Sequence, residues 1–138
     1  NGVIVGSEIS RGLDIFELVP SGFLTQNELE AAKSVKLAYF NVQGQPKFTW
    51  PATYSLARAY LDQLERSNGM DAAKIADVRA ELAKAEQSSG AKQQQALTQL
   101  VTRLESNVNG ARDTAKAQEL VSAVKQLANS PSLATAGK

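Results

Sequence analysis

The chain has 138 residues, 15 Lys and Arg against 14 Asp and Glu, a formal net charge of +1, and neither cysteine nor histidine. That length suits one ordinary domain, or a small helical domain carrying a stub of another. The near-neutral charge excludes a strong general pull on nucleic acid or anionic membrane, and the missing Cys and His remove disulfides, thiol nucleophiles, imidazole or thiolate metal ligands and every imidazole-based triad.

The first 22 residues read as a β-hairpin. Val3, Ile4 and Val5 form a short apolar run suited to a covered strand, while Leu13, Ile15, Phe16 and Leu18, interrupted by Asp14 and Glu17, suit a strand with one wetter face. Gly6 and Gly12 are expected to bracket the connection, and Pro20, Ser21 and Gly22 stop the second strand. A lone hairpin is marginally stable in water, so this one calls for a sheet from elsewhere. The chain opens without Met on residues that read as the middle of a sheet, and is expected to be a processed or truncated piece of a longer protein. No apolar run approaches the roughly 20 residues that span a bilayer, and no signal peptide is visible.

The wording NGVIVGSEISRGLDIFEL resembles the closing hairpin of a blade in exported β-propeller proteins with LVIVD-type repeats, including the choice-of-anchor B proteins. Their segment follows the form NG-hydrophobic-SD-x-x-x-GL-x-VF-x-L, matched here by Asn1, Gly2, Ser7, Gly12, Leu13, Phe16 and Leu18, with Glu8 where Asp is commoner. The resemblance covers about the first eighteen residues and implies an exported, cell-surface or periplasmic protein whose other blades lie outside this chain. It carries over no catalytic residue. Glu8 and Asp14 are expected to solvate a blade edge rather than hold a cation.

After the stop, Thr25-Gln26-Asn27-Glu28 is a capping box, opening a helix expected over 26–39 with Leu29, Ala32, Lys33, Lys36, Leu37 and Phe40 near one side. That stripe is thin for a core helix, so the helix is expected to dock along a larger surface, either a propeller or a bundle. Residues 41–50, NVQGQPKFTW, form a connector in which Gly44 and Pro46 forbid a continuous helix, and Thr49 before Trp50-Pro51 is the expected next cap. Six of the eight aromatics fall between Tyr39 and Tyr60 and none beyond. A band of this kind beside a domain junction is expected to be mortar between two modules before it is a ligand site.

Four amphipathic helices then follow, at about 51–67, 72–88, 91–107 and 112–129, each with one apolar stripe. The stripes are Tyr54, Ala57, Tyr60, Leu61 and Leu64; Ile75, Val78, Leu82 and Ala85; Leu97, Leu100, Val101, Leu104 and Val108; and Ala117, Leu120, Val121, Val124 and Leu127. An internal repeat aligns Leu64 with Leu104, Asn68-Gly69 with Asn109-Gly110, Val78 with Leu120 and Leu82 with Val124. Each unit is a helix, an Asn-Gly turn suited to left-handed backbone and a second helix, which makes two αα-hairpins of a four-helix bundle. Leu61 to Leu127 also resembles, loosely, the FIMAH-type helical modules at the C-termini of secreted bacterial proteins. That resemblance implies no settled activity. The tail, NSPSLATAGK, is short and polar and is expected to be mobile.

Chemistry finds little purchase. Asp62 with Glu65, and Asp77 with Glu81, each put two carboxylates on one helix side, but Arg58 and Arg66 flank Asp62 at four residues and Lys84 follows Glu81 at three, the pattern of a solvated ion-paired surface. The inward positions read as Leu, Val, Ile, Ala and Tyr, leaving no polar ligand for a metal. The arginines are spread along the helices and matched by acids, away from the aromatics, which argues against nucleic acid.

The expected fold is mainly α: a hairpin completing a propeller blade (1–22), a docking helix and aromatic connector (23–50), a four-helix bundle (51–129) and a flexible tail (130–138). No cofactor, metal or catalytic residue is assigned. The expected role is a noncatalytic structural or protein-interaction module of an exported propeller protein, its partner an upstream propeller polypeptide, another protein chain or a second copy. Alternatives are an accessory part of a secreted enzyme or ligand binder whose site lies in the missing blades, or a structural subunit of an extracellular assembly joined by strand addition. The candidate interface comprises Val3, Val5, Leu13, Phe16, Leu18, Tyr39, Phe40, Phe48, Trp50 and Tyr54.

Overall fold

A computed structural model describes residues 3–45 and 47–129. Pro46 and the tail, for which mobility is expected, lie outside the described residues. The hairpin is present, with β1 (Val3–Glu8) antiparallel to β2 (Gly12–Glu17) and Val5 opposite Ile15. Of the two glycines expected in its connection, only Gly12 serves the turn, at φ +89°. Gly6 sits inside β1 opposite Asp14, where the Phe16 ring lies over it.

The first helix, α1 (Gln26–Ser34), starts at the capping box and ends five residues before the expected Tyr39. The Ser34 hydroxyl donates back to the Ala31 carbonyl at 2.6 Å, and β-branched Val35 turns extended at φ −79° and ψ 113°, so the helix stops there. Its buried face is therefore Leu29 and Ala31, while Ala32, Lys33, Lys36, Leu37 and Phe40 of the expected stripe are exposed. The connector holds one 3₁₀ turn, Val42–Gly44, capped by Asn41.

The four helices of the bundle follow: α2 (Tyr54–Arg66), α3 (Ala72–Gln87), α4 (Gly90–Val108) and α5 (Thr114–Asn129). The cap of α2 is Thr53, whose hydroxyl accepts from the Leu56 amide at 3.1 Å, rather than Thr49. Pro51 consequently stays outside the helix. Asp71 caps α3 by accepting from the amides of Ala73 and Lys74.

Each helix packs on the next and α5 returns to α2, closing a ring. The core runs through Leu61, Leu64, Ile75, Val78, Leu82, Leu97, Leu100, Leu104, Leu120, Val124 and Leu127, all fully buried. Most of the expected stripes lie there, with Tyr60, Val108 and Val121 packed at its margin. The two Asn-Gly turns meet at one end of the bundle, where the Gly69 carbonyl accepts from the amides of Arg112 at 2.8 Å and Asp113 at 3.0 Å. The turns are not equivalent, however. Asn68 takes the left-handed conformation at φ 51°, whereas Asn109 is right-handed at φ −63°.

Candidate functional site

The hairpin is the most exposed apolar feature of the described chain. The register puts Val3, Val5, Leu13 and Ile15 on one face and Ile4 and Phe16 on the other. Both faces are open, with Val5 60% exposed, Ile15 69% and Phe16 53%. The covered strand expected for β1 is thus left uncovered by the other described residues, and the hairpin packs on none of the helices. The Glu8 carboxylate is occupied by its own turn, accepting from the amides of Ser10 at 3.0 Å and Arg11 at 2.7 Å. Arg11 also sits 3.4 Å from Asp14, so these acids are tied up locally.

The aromatic band divides in two. Phe40 stacks on Phe48 with centroids 4.9 Å apart, Phe48 tilts against Trp50 at 6.5 Å, and all three remain partly open to solvent, as does Tyr39. Tyr54, in contrast, is 4% exposed and belongs to the bundle core, where its hydroxyl accepts from the Gln93 amide nitrogen at 3.1 Å. Burial is the main influence pushing the Tyr54 phenol above its ordinary pKa. Trp50 lines two adjoining cavities of about 300 and about 210 Å³ on the outer side of α2, whose shared lining also includes Leu56, Tyr60 and Glu119.

The densest polar structure lies where α1 meets α2, and each helix gives the other a carboxylate. Glu28 of α1 accepts from its own capping partner, the Thr25 amide, at 2.7 Å, from Gln63 Nε2 at 2.9 Å, and from Arg66 at 2.8 and 3.1 Å, a two-pronged guanidinium pair. Asp62 of α2 accepts from the Thr25 hydroxyl at 2.6 Å and Asn27 Nδ2 at 2.8 Å, and pairs with Arg79 of α3 at 2.7 Å. Both carboxylates are nearly enclosed, with side-chain exposures of 9% and 8%. The Arg66 hydrogen bonds dominate in pulling the Glu28 carboxyl down from 4.5 to about 2, against an opposing push from burial and with help from Thr25 and Gln63.

This arrangement corrects two expectations. Polar groups are buried, Gln93 against Tyr54 in the bundle core and Asp62 beneath α1 on its flank. The arginines of the bundle also pair between helices rather than along them: Arg66 goes to Glu28, Arg58 to Glu86, Arg79 to Asp62 and Glu65, and Arg103 to Glu81. The sequence carries the capping box that orients Glu28 and Thr25. It offers no local signal that Asp62, 37 residues from Thr25, completes the cluster.

Among the described residues no group of three or more acids is placed to hold a metal ion, and no helix is long and apolar enough to cross a membrane. Buried polar side-chain atoms there all have partners, so the enclosed carboxylates serve as fixed acceptors between helices. The fold and its surfaces define a mainly helical domain: a packed four-helix bundle, one helix docked on its flank, and a β-hairpin standing clear. Compared with protein-family models, curated proteins and solved structures, the chain matches none.

Proposed function

We propose that the chain is a noncatalytic protein-interaction module whose N-terminal hairpin is completed by a β-sheet of another polypeptide, with the helical bundle as the body it carries. The observation that supports this is the hairpin itself, six-residue strands with apolar side chains open on both faces and no helix packed on either. Strands buried on both faces read as continuous apolar runs, and an unpaired strand edge is a template for further pairing. A layer on each face together with a strand on the edge would bury Val3, Val5, Leu13, Ile15 and Phe16 at once.

The resemblance of Asn1 to Leu18 to a closing propeller blade makes an exported LVIVD-type propeller the favoured source of that sheet, because a blade is packed between neighbouring blades. Such a parent places the chain at the cell surface, outside the cell or in the periplasm. The stacked aromatics of the connector, beyond α1 in sequence, offer a second partly open apolar surface for such contacts.

Intact-mass measurement and peptide mapping of the native material from its source test this. Peptides of a β-rich polypeptide, continuous with the chain or bound to it, are expected, with the amides of residues 3–18 protected from exchange in that assembly. Isolation of the chain without such a partner, with those amides exchanging freely, would overturn the proposal.

A further inference from the structure

We propose that α1 is a releasable latch, docking on and leaving the flank of α2 as one unit while α2–α5 stay folded, so that it sets the length of the tether between the N-terminal hairpin and the bundle. The inference stands whatever covers the hairpin, because it rests on the interface between α1 and the bundle.

Three features separate α1 from the rest. The bundle core is complete without it, since no α1 residue belongs to the main buried cluster and only Ala31 enters the small satellite of Leu56, Ala59 and Ala123. α1 is nine residues long and packs on α2 alone. Isolated helices shorter than about 12–15 residues are marginal in water, so α1 is helical because it is docked. The docking contacts are few in apolar area, Leu29 and Ala31, and rich in directed hydrogen bonds through Glu28 and Asp62.

Such a contact is steep. Apolar packing degrades gradually as surfaces slide, but two enclosed carboxylates with fixed donors lose most of their partners together. Thr25 concentrates the effect: its hydroxyl accepts from the Glu28 amide at 3.3 Å to start the helix and donates to Asp62 to dock it. Formation of the helix and its docking thus share one side chain. On release both carboxylates regain water, and Asp62 keeps Arg79 within the bundle. Residues 36–45 and 47–50, exposed and with a single 3₁₀ turn among them, give the freed arm room to reorient.

Native-state hydrogen exchange on the full chain at neutral pH provides the test. Amides within α1 are expected to exchange at least roughly 100-fold faster than those of the bundle core, as befits a unit opening below the global transition. In Glu28→Gln, α1 exchange is expected to rise a further 10- to 100-fold, the range of a lost charge-assisted hydrogen-bond pair, with α2–α5 unchanged. Asn27→Ala, which removes one donor to Asp62 and leaves the capping box intact, is expected to act in the same direction by less. Exchange of α1 in step with the bundle core in the unsubstituted chain would overturn the latch. So would Glu28→Gln loosening or unfolding all five helices together, since α1 would then be part of one cooperative structure.

Discussion

Gly69 shows how closely single positions govern this fold. A Cβ added there would come within 3.0 Å of Asp113 Cβ, Leu64 Cδ2 and Ser67 Oγ, while its carbonyl holds the start of α5 through the Arg112 and Asp113 amides. The neighbours on three sides leave little room to relax, so Gly69→Ala is expected to destabilise the bundle by about 1–3 kcal/mol, read as a lower urea midpoint with unchanged slope. Gly110, its counterpart in the repeat, meets nothing nearer than 3.5 Å, the flexible end of Lys74. The same substitution there is expected to be several-fold milder. Sequence alone marks the two glycines as equivalent members of Asn-Gly pairs; what separates them is the crowding of Gly69 by Leu64 and Ser67 of its own helix end and by Asp113 at the start of α5.

At the scale of elements, the four bundle helices were legible because each carries an apolar stripe at spacings of three and four, and burial follows that stripe. The hairpin was legible from its glycines and apolar runs. What pattern could not supply was the length of α1 and the destination of its charges. Val35 and Ser34 end the helix through local bonding, and Arg66 reaches Glu28 on α1 while Asp62, four residues away on its own helix, is already engaged by Thr25, Asn27 and Arg79. The capping box predicted where α1 begins, and three of its four residues, Thr25, Asn27 and Glu28, also supply the polar contacts that dock it.

Acid should act on this element first. The Glu28 carboxyl is held at about 2 in the folded chain against an ordinary 4.5, so the free protein binds more protons at Glu28 when α1 is undocked. The docking contributed by ionised Glu28 is therefore fully present above about 4.5 and lost as pH falls towards about 2. Circular dichroism between pH 6 and 2 is expected to show a helix loss sized to α1 in this window, and Glu28→Gln is expected to lack the Glu28-dependent part of that pH slope.

For the whole molecule, the division of labour is sharp: one closed ring of helices provides a buried core, while the hairpin contributes nothing to it. Pairs of substitutions such as Val5→Thr with Ile15→Thr are accordingly expected to move the stability of the bundle, within the full chain free of partners, by no more than about 0.5 kcal/mol in thermal or chemical melts. Loss of stability well beyond that would mean that hairpin and helices are thermodynamically coupled. The same pair is expected to weaken the proposed assembly, since it takes apolar surface from the open face. Stability and association thus reside in different residues and can be altered separately.

The placement of Trp50 makes this chain its own instrument. It is the sole indole of the sequence, partly open to solvent, and borders the cavity that Ala31 and Glu28 of α1 close on one side. Release of α1 removes that wall and leaves the four-helix core untouched, so the wavelength of tryptophan emission shifts with the latch while far-ultraviolet dichroism loses only the share of this nine-residue helix until the bundle itself unfolds. An emission shift accompanied by only that small dichroism change therefore marks release of the latch, and a large dichroism loss marks unfolding of the bundle, in one unlabelled chain.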